Sequence, residues 1–189
     1  MSGVNARIPS SSQTVGPYFR IGLDCMIERT PVITLETPGM IAIEGRVLDQ
    51  YGEPVPDAML EFWSAGTDSA ATDTDSAQAS FPVGFRRVAT GSGGEFSVII
   101  EGSSAPAPDR ERNQAQHFMV MVFARGLLRQ LLTRVYLGNP PGIEADPVLS
   151  QVPEERRATL IAAADEQHEN VFHWNVKLQG TDETVFFAW

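Results

Sequence analysis

Cysteine, lysine, tyrosine and histidine are all scarce in this chain of 189 residues. The lone cysteine, Cys25, cannot close an internal disulfide. That excludes a disulfide-stapled scaffold and suits a reducing compartment. Lysine occurs once, at Lys177, and 14 basic side chains face 24 acidic ones for a net charge of −10. So acidic a surface argues against nucleic acid, whose binding rests on basic contacts to phosphate. It also means that an anionic ligand needs a locally placed cation. No apolar run reaches membrane-spanning length and no charged-then-apolar leader opens the sequence, so a soluble, cytoplasmic protein is expected.

What the chain does have is alternation. Residues 1–40 read as an extended arm, with prolines at 9, 17, 31 and 38 that disfavour helix. Residues 41–189 read as one β-sandwich domain. In "MIAIEGRVLDQYGEPVPDAMLEFW" (40–63), Ile41, Ile43, Gly45 and Val47 alternate with Ala42, Glu44 and Arg46. Turn residues follow, and then a returning strand. Further strands are expected at 95–100, 117–124, 127–137, 171–178 and 183–189, with "GSGG" (91–94) as a turn. "PEERRATLIAAADEQ" (153–167) reads as a helix, with proline and two glutamates in its first turn. Short strands separated by turns indicate an all-β fold, an antiparallel sandwich with one short helix. The polar stretch 64–80 reads as a surface loop.

Candidate chemistry is sparse. His117 opens a strand, and Met119 is next on its face. Thioether sulfur serves ferric iron poorly, and one imidazole plus one sulfur fall short of three ligands. His117 is therefore read as structural, and His168 and His173 as solvent-facing or satisfied by backbone. Tyr18, Tyr51 and Tyr136 are the only tyrosines, so residues 52–135 offer no phenolate ligand. No nucleophile elbow or metal-binding spacing occurs. Arg134 shares a strand face with Leu132 and Tyr136, an apolar setting in which an unpaired guanidinium is costly. It is either paired with an internal carboxylate or a fork aimed at an anionic substrate.

"SQTVGPYFRIGL", "VFARGLLRQLLTRVYL" and the terminal "ETVFFAW" resemble the intradiol ring-cleaving dioxygenases, and the likeness runs from the arm to the last residue. It implies a transthyretin-like sandwich that is one half of a paired α/β assembly. In that assembly a β subunit holds a non-haem Fe(III) through two tyrosines and a His-x-His pair. Here the strand reads His117-Phe118-Met119, and neither 64–80 nor the neighbourhood of Ser103 and Ser104 supplies tyrosine. The resemblance therefore implies the iron-free α type. Its partners would be a β subunit, the carboxylated catechol protocatechuate, and O2. The arm would contact the partner. Thr14, Gly16, Pro17, Tyr18 and Arg134 would border a substrate cavity completed between subunits, while catalytic and metal residues would lie on β. The reaction implied is cleavage to 3-carboxy-cis,cis-muconate in aromatic catabolism. A self-sufficient metalloenzyme of this fold and a non-enzymatic sandwich used for binding are the other readings.

Overall fold

The computed structural model describes residues 14, 21–23, 34–64, 84–102 and 114–188. Nine strands lie among them. They are β1 (Met40–Leu48), β2 (Met59–Ser64), β3 (Phe85–Ala89), β4 (Glu95–Glu101), β5 (Phe118–Phe123), β6 (Leu131–Leu137), β7 (Ile161–Ala164), β8 (Val171–His173) and β9 (Val176–Lys177). Pairing runs β3-β2-β5-β6-β7-β8-β1-β4, with β9 added to β1. This curled sheet folds over on itself, so that β3-β2-β5-β6 faces β8-β1-β4. The inner faces meet in one core that includes Ile43, Val47, Leu60, Phe62, Ile100, Phe118 and Val120. These residues recur at alternate positions because a pleated strand sends successive side chains to opposite faces.

Most pairings are antiparallel, but β8 and β9 join β1 in parallel, and β7 joins β6 in parallel. The helix expected over 153–167 is mostly absent. Only Glu154–Arg157 forms an α-helix, α1, and Ala158–Leu160 continues as a 3-10 turn. Ile161–Ala164 then becomes β7, wedged between β6 and β8. Alanine favours helix by only a few tenths of a kcal/mol per residue over most alternatives, whereas the strand buries Ala162 completely and fills the gap in the sheet. The strand expected at 171–178 divides into β8 and β9 around Trp174 and Asn175. The indole Nε1 of Trp174 donates to Thr159 O at 2.9 Å, and Asn175 Oδ1 accepts from Arg46 N at 2.9 Å.

The tail expected as a strand at 183–189 forms no regular strand among its described residues. It is laid against β6 instead, with Phe187 N donating to Leu132 O at 2.8 Å and Thr133 Oγ1 to Val185 O at 2.7 Å. The segment 127–130 is irregular rather than strand, because the turn at Arg125 and Gly126 (φ 86) has already bent the backbone. "GSGG" does form the turn before β4, where Gly94 (φ +71) leaves only 2.7 Å between an added Cβ and Val47 O. No helix among the described residues is long and apolar enough to cross a membrane.

Gly45 marks the tightest approach in the sandwich. A Cβ placed there would lie 1.7 Å from the Trp174 carbonyl oxygen. Gly45→Ala is predicted to destabilise the protein by about 3 kcal/mol, at the upper end of overpacking costs. Urea unfolding monitored by tryptophan fluorescence measures this, and a loss below about 0.5 kcal/mol would show that β1 and β8 separate freely.

Candidate functional site

The β5–β6 register builds the site. Met119 pairs with Arg134, Phe118 with Val135 and Met121 with Leu132. Phe118, Val120 and Val122 point into the core, so Met119 and Arg134 stand on the outer face beside Trp63, which pairs with Met119 from β2. One step further along, His117 meets Tyr136, their ring centroids 5.6 Å apart.

Arg134 is half-buried. Its Nη1 donates to Gln114 Oε1 at 3.3 Å, and its guanidinium carbon lies 5.9 Å from the Phe187 ring centroid. Among the described residues no carboxylate pairs with it, although internal ion pairs occur elsewhere, Arg87 with Glu61 and Arg125 with Asp57. The reading of Arg134 as half of an internal ion pair is therefore not what the structure shows. Among the described residues the cation is held by an amide and an aromatic face.

Beneath it lies a buried polar cluster. Asp146, with no exposed surface, accepts from Ala115 N at 2.8 Å, Val148 N at 2.8 Å and Leu149 N at 2.9 Å. His117 places Nδ1 2.8 Å from Ala115 O. Burial pushes the His117 pKa below its ordinary value and the charge of Arg134 acts in the same direction, against the Ala115 carbonyl and Asp146. The ring is thus neutral, with Nδ1–H donating and the lone pair on Nε2. The hydroxyl of Tyr136 is fully buried and makes no hydrogen bond of regular geometry, although Arg134 and Asp146 lie close enough to act on it. Burial, more than any other influence, raises its pKa to about 12.

These donors do not fit a ferric ion. His117 alone carries the tautomer that a metal ligand needs. Its companions are a thioether, a phenol held protonated, and a guanidinium across the strand pair from Met119 that would repel a trivalent cation. Among the described residues no group of three or more His, Cys, Asp or Glu side chains is placed to hold a metal. Sequence reading missed that Tyr136 stands beside His117. The two are 19 positions apart, and only the β5–β6 register brings them together.

Thr14 lies at the other end of the same hairpin, its Oγ1 accepting from Gly126 N at 3.1 Å. Leu131, where β6 begins, and Arg134 are separated by about 10 Å of strand. No described contact joins Thr14 to Arg134. Gly16, Pro17 and Tyr18 lie outside the described residues, as do Cys25, residues 65–80 of the polar loop, and Ser103 and Ser104. His168 and His173 face solvent, as expected, and both side chains also turn to one carboxylate. Their Nδ1 and Nε2 reach Asp165 at 3.0 and 2.8 Å, and these bonds hold its pKa far below the usual carboxylate range. An open recess of about 740 Å³ between β1, β3 and β4, lined by Glu44, Arg46, Glu95 and His173, shares no residue with the surroundings of Arg134.

Tyr136 supplies a stability test. With a folded-state pKa of about 12 against an ordinary 10.0, the unfolded chain ionises first, so stability is unaffected below pH 10 and falls as pH rises through 12. Tyr136→Phe is predicted to leave thermal stability at pH 7 unchanged or higher, because the buried hydroxyl it removes makes no hydrogen bond of regular geometry. It is also predicted to lessen the loss of stability between pH 10 and 12. A drop in melting temperature at pH 7 would show that the hydroxyl is bonded.

A family model described as Dioxygenase matches residues 15–180. The chain is 41% identical over 192 residues to the protocatechuate 3,4-dioxygenase alpha chain of Burkholderia cepacia, covering 93% of this chain and 95% of that one. To the beta chain of the same enzyme from Burkholderia cepacia it is 27% identical over 157 residues, covering 76% of this chain and 66% of that one. Among solved structures, the dioxygenase domain of a dioxygenase carbohydrate-binding protein fusion from Streptomyces sp. SirexAA-E superimposes with a TM-score of 0.57. That match has 20% identity and covers 81% of this chain and 88% of that one.

Proposed function

The chain belongs to the intradiol ring-cleaving dioxygenase family, and we propose that it is the α chain of a protocatechuate 3,4-dioxygenase, closing a substrate cavity on a β chain that carries the iron. The observation that carries this reading is the match to an α chain over nearly the full length of both partners. The donor set supports it, since His117, Met119 and Tyr136 do not suit Fe(III). Intradiol dioxygenases use non-haem Fe(III), and in this proposal the β chain holds it. The reaction is protocatechuate plus O2 giving 3-carboxy-cis,cis-muconate, with both oxygen atoms entering the product.

Within that assembly the work of this chain is binding, orientation and exclusion of water. Arg134 is the cation that an acidic protein must place locally to receive an anionic ring. Its guanidinium matches a carboxylate bidentately, and among the described residues it is bonded to an amide and not to an acid. Such a charge-assisted pair contributes about 1.5–3 kcal/mol. Thr14, Gly16, Pro17 and Tyr18 are proposed to line the same cavity from the arm. Glycine admits close backbone approach, proline stiffens the segment, and tyrosine offers a ring with a polar tip. A non-enzymatic binding sandwich has no specific observation in its favour.

Co-purified with its β partner, the complex is predicted to carry iron, whereas this chain purified alone holds no stoichiometric ferric ion and shows no tyrosinate-to-iron absorption. In the complex, Arg134→Ala is predicted to raise KM for protocatechuate about tenfold or more, with the iron content retained. Iron bound by the isolated chain, or an unchanged KM in the variant, would contradict the respective part of the reading.

A further inference from the structure

Arginine side chains have several freely rotating bonds, so a guanidinium on an outer strand face points in a fixed direction only if its neighbours hold it. Around Arg134 two neighbours do so, one 20 residues before it in the sequence and one 53 after. Phe187 presents its ring 5.9 Å from the guanidinium carbon, within the range of a cation–π contact. Gln114 accepts from Nη1 at 3.3 Å. Neither neighbour is loosely attached. Phe187 is laid along β6 by its own N–H to Leu132 O, with Thr133 Oγ1 gripping Val185 O two residues earlier. Gln114 precedes Ala115, whose N–H is fixed by Asp146 and whose carbonyl meets His117 Nδ1. Buried Asp146 and His117 thereby gain a purpose, because both bond the backbone of Ala115 next to the residue that orients the cation.

We propose that Phe187 and Gln114 are positioning residues that aim Arg134 at the substrate carboxylate, so that the C-terminal tail sets the preference for carboxylated over uncarboxylated catechols. This rests on the reading of Arg134 as the carboxylate-binding cation. Neither side chain changes the charge of the site. Each acts by narrowing the directions that the guanidinium samples, so the effect falls on ligands that carry an anion for Arg134 to grip.

The test uses the assembled αβ complex and anaerobic equilibrium binding of protocatechuate and of catechol, which lacks the carboxylate. Phe187→Leu is expected to raise the Kd ratio of protocatechuate to catechol about threefold, and Phe187→Leu with Gln114→Ala about tenfold. Phe187→Tyr, which keeps the aromatic face, is expected to restore the ratio. In an Arg134→Ala background the Phe187 and Gln114 substitutions should add nothing. If Arg134→Ala raises the ratio but the other two substitutions do not, the positioning role is overturned while the carboxylate reading stands. If Arg134→Ala itself leaves the ratio unchanged, the carboxylate reading fails and the positioning role with it. Equal weakening for both ligands, or no recovery with Phe187→Tyr, would reduce Phe187 to a packing role. Gln114→Ala alone keeps the test decisive should the tail variant misassemble.

Discussion

The antiparallel pairing of β5 with β6 is the constraint on which the rest of the site depends. It sets Met119 opposite Arg134, and the pleat then commits His117 and Tyr136 to the next step along the same face. A slip of one residue would send all four side chains to the other face and bring Phe118 and Val135 out of the core. The hydrophobic interior and the polar cluster are therefore specified by one register. The complete burial of Phe118, Val120 and Val135 keeps the guanidinium where it is.

From that register follows a division of labour. A site for a trivalent metal needs ionised or strongly donating ligands in a place that tolerates added positive charge. This face provides a neutral imidazole, a thioether and a protonated phenol beside a fixed cation. The same features favour an anion. The chain is acidic overall, yet among the described residues no carboxylate pairs with Arg134, which is steadied by an aromatic ring and an amide. These are contacts that orient a guanidinium without neutralising it.

Much of the fold was legible in the sequence. Alternation located β1, apolar runs bounded by turn residues located β2, β4, β5 and β6, and the Gly-rich run before Glu95 marked its turn. What misled was local preference without tertiary context. "LIAAADEQ" reads as helix, but the gap between β6 and β8 makes a strand of Ile161–Ala164. β3 went unread because its two arginines break the apolar pattern, although Arg87 is paired with Glu61 on β2 and Arg86 donates to a backbone carbonyl. At the site, Arg134 stood out as a cation in an apolar strand. Its partners did not, since Gln114 and Phe187 lie 20 residues before and 53 after it. The Asp165 bridge between His168 and His173 was hidden for the same reason, depending on how the β7–β8 turn closes.

The most direct measurement is an anomalous-scattering map at the iron edge from crystals of the αβ complex soaked anaerobically with protocatechuate. The account predicts one iron peak per αβ pair, ligated wholly by the β chain, with the Arg134 guanidinium within hydrogen-bond reach of the ring carboxylate. An iron peak at His117, or a carboxylate bound far from Arg134, would contradict it.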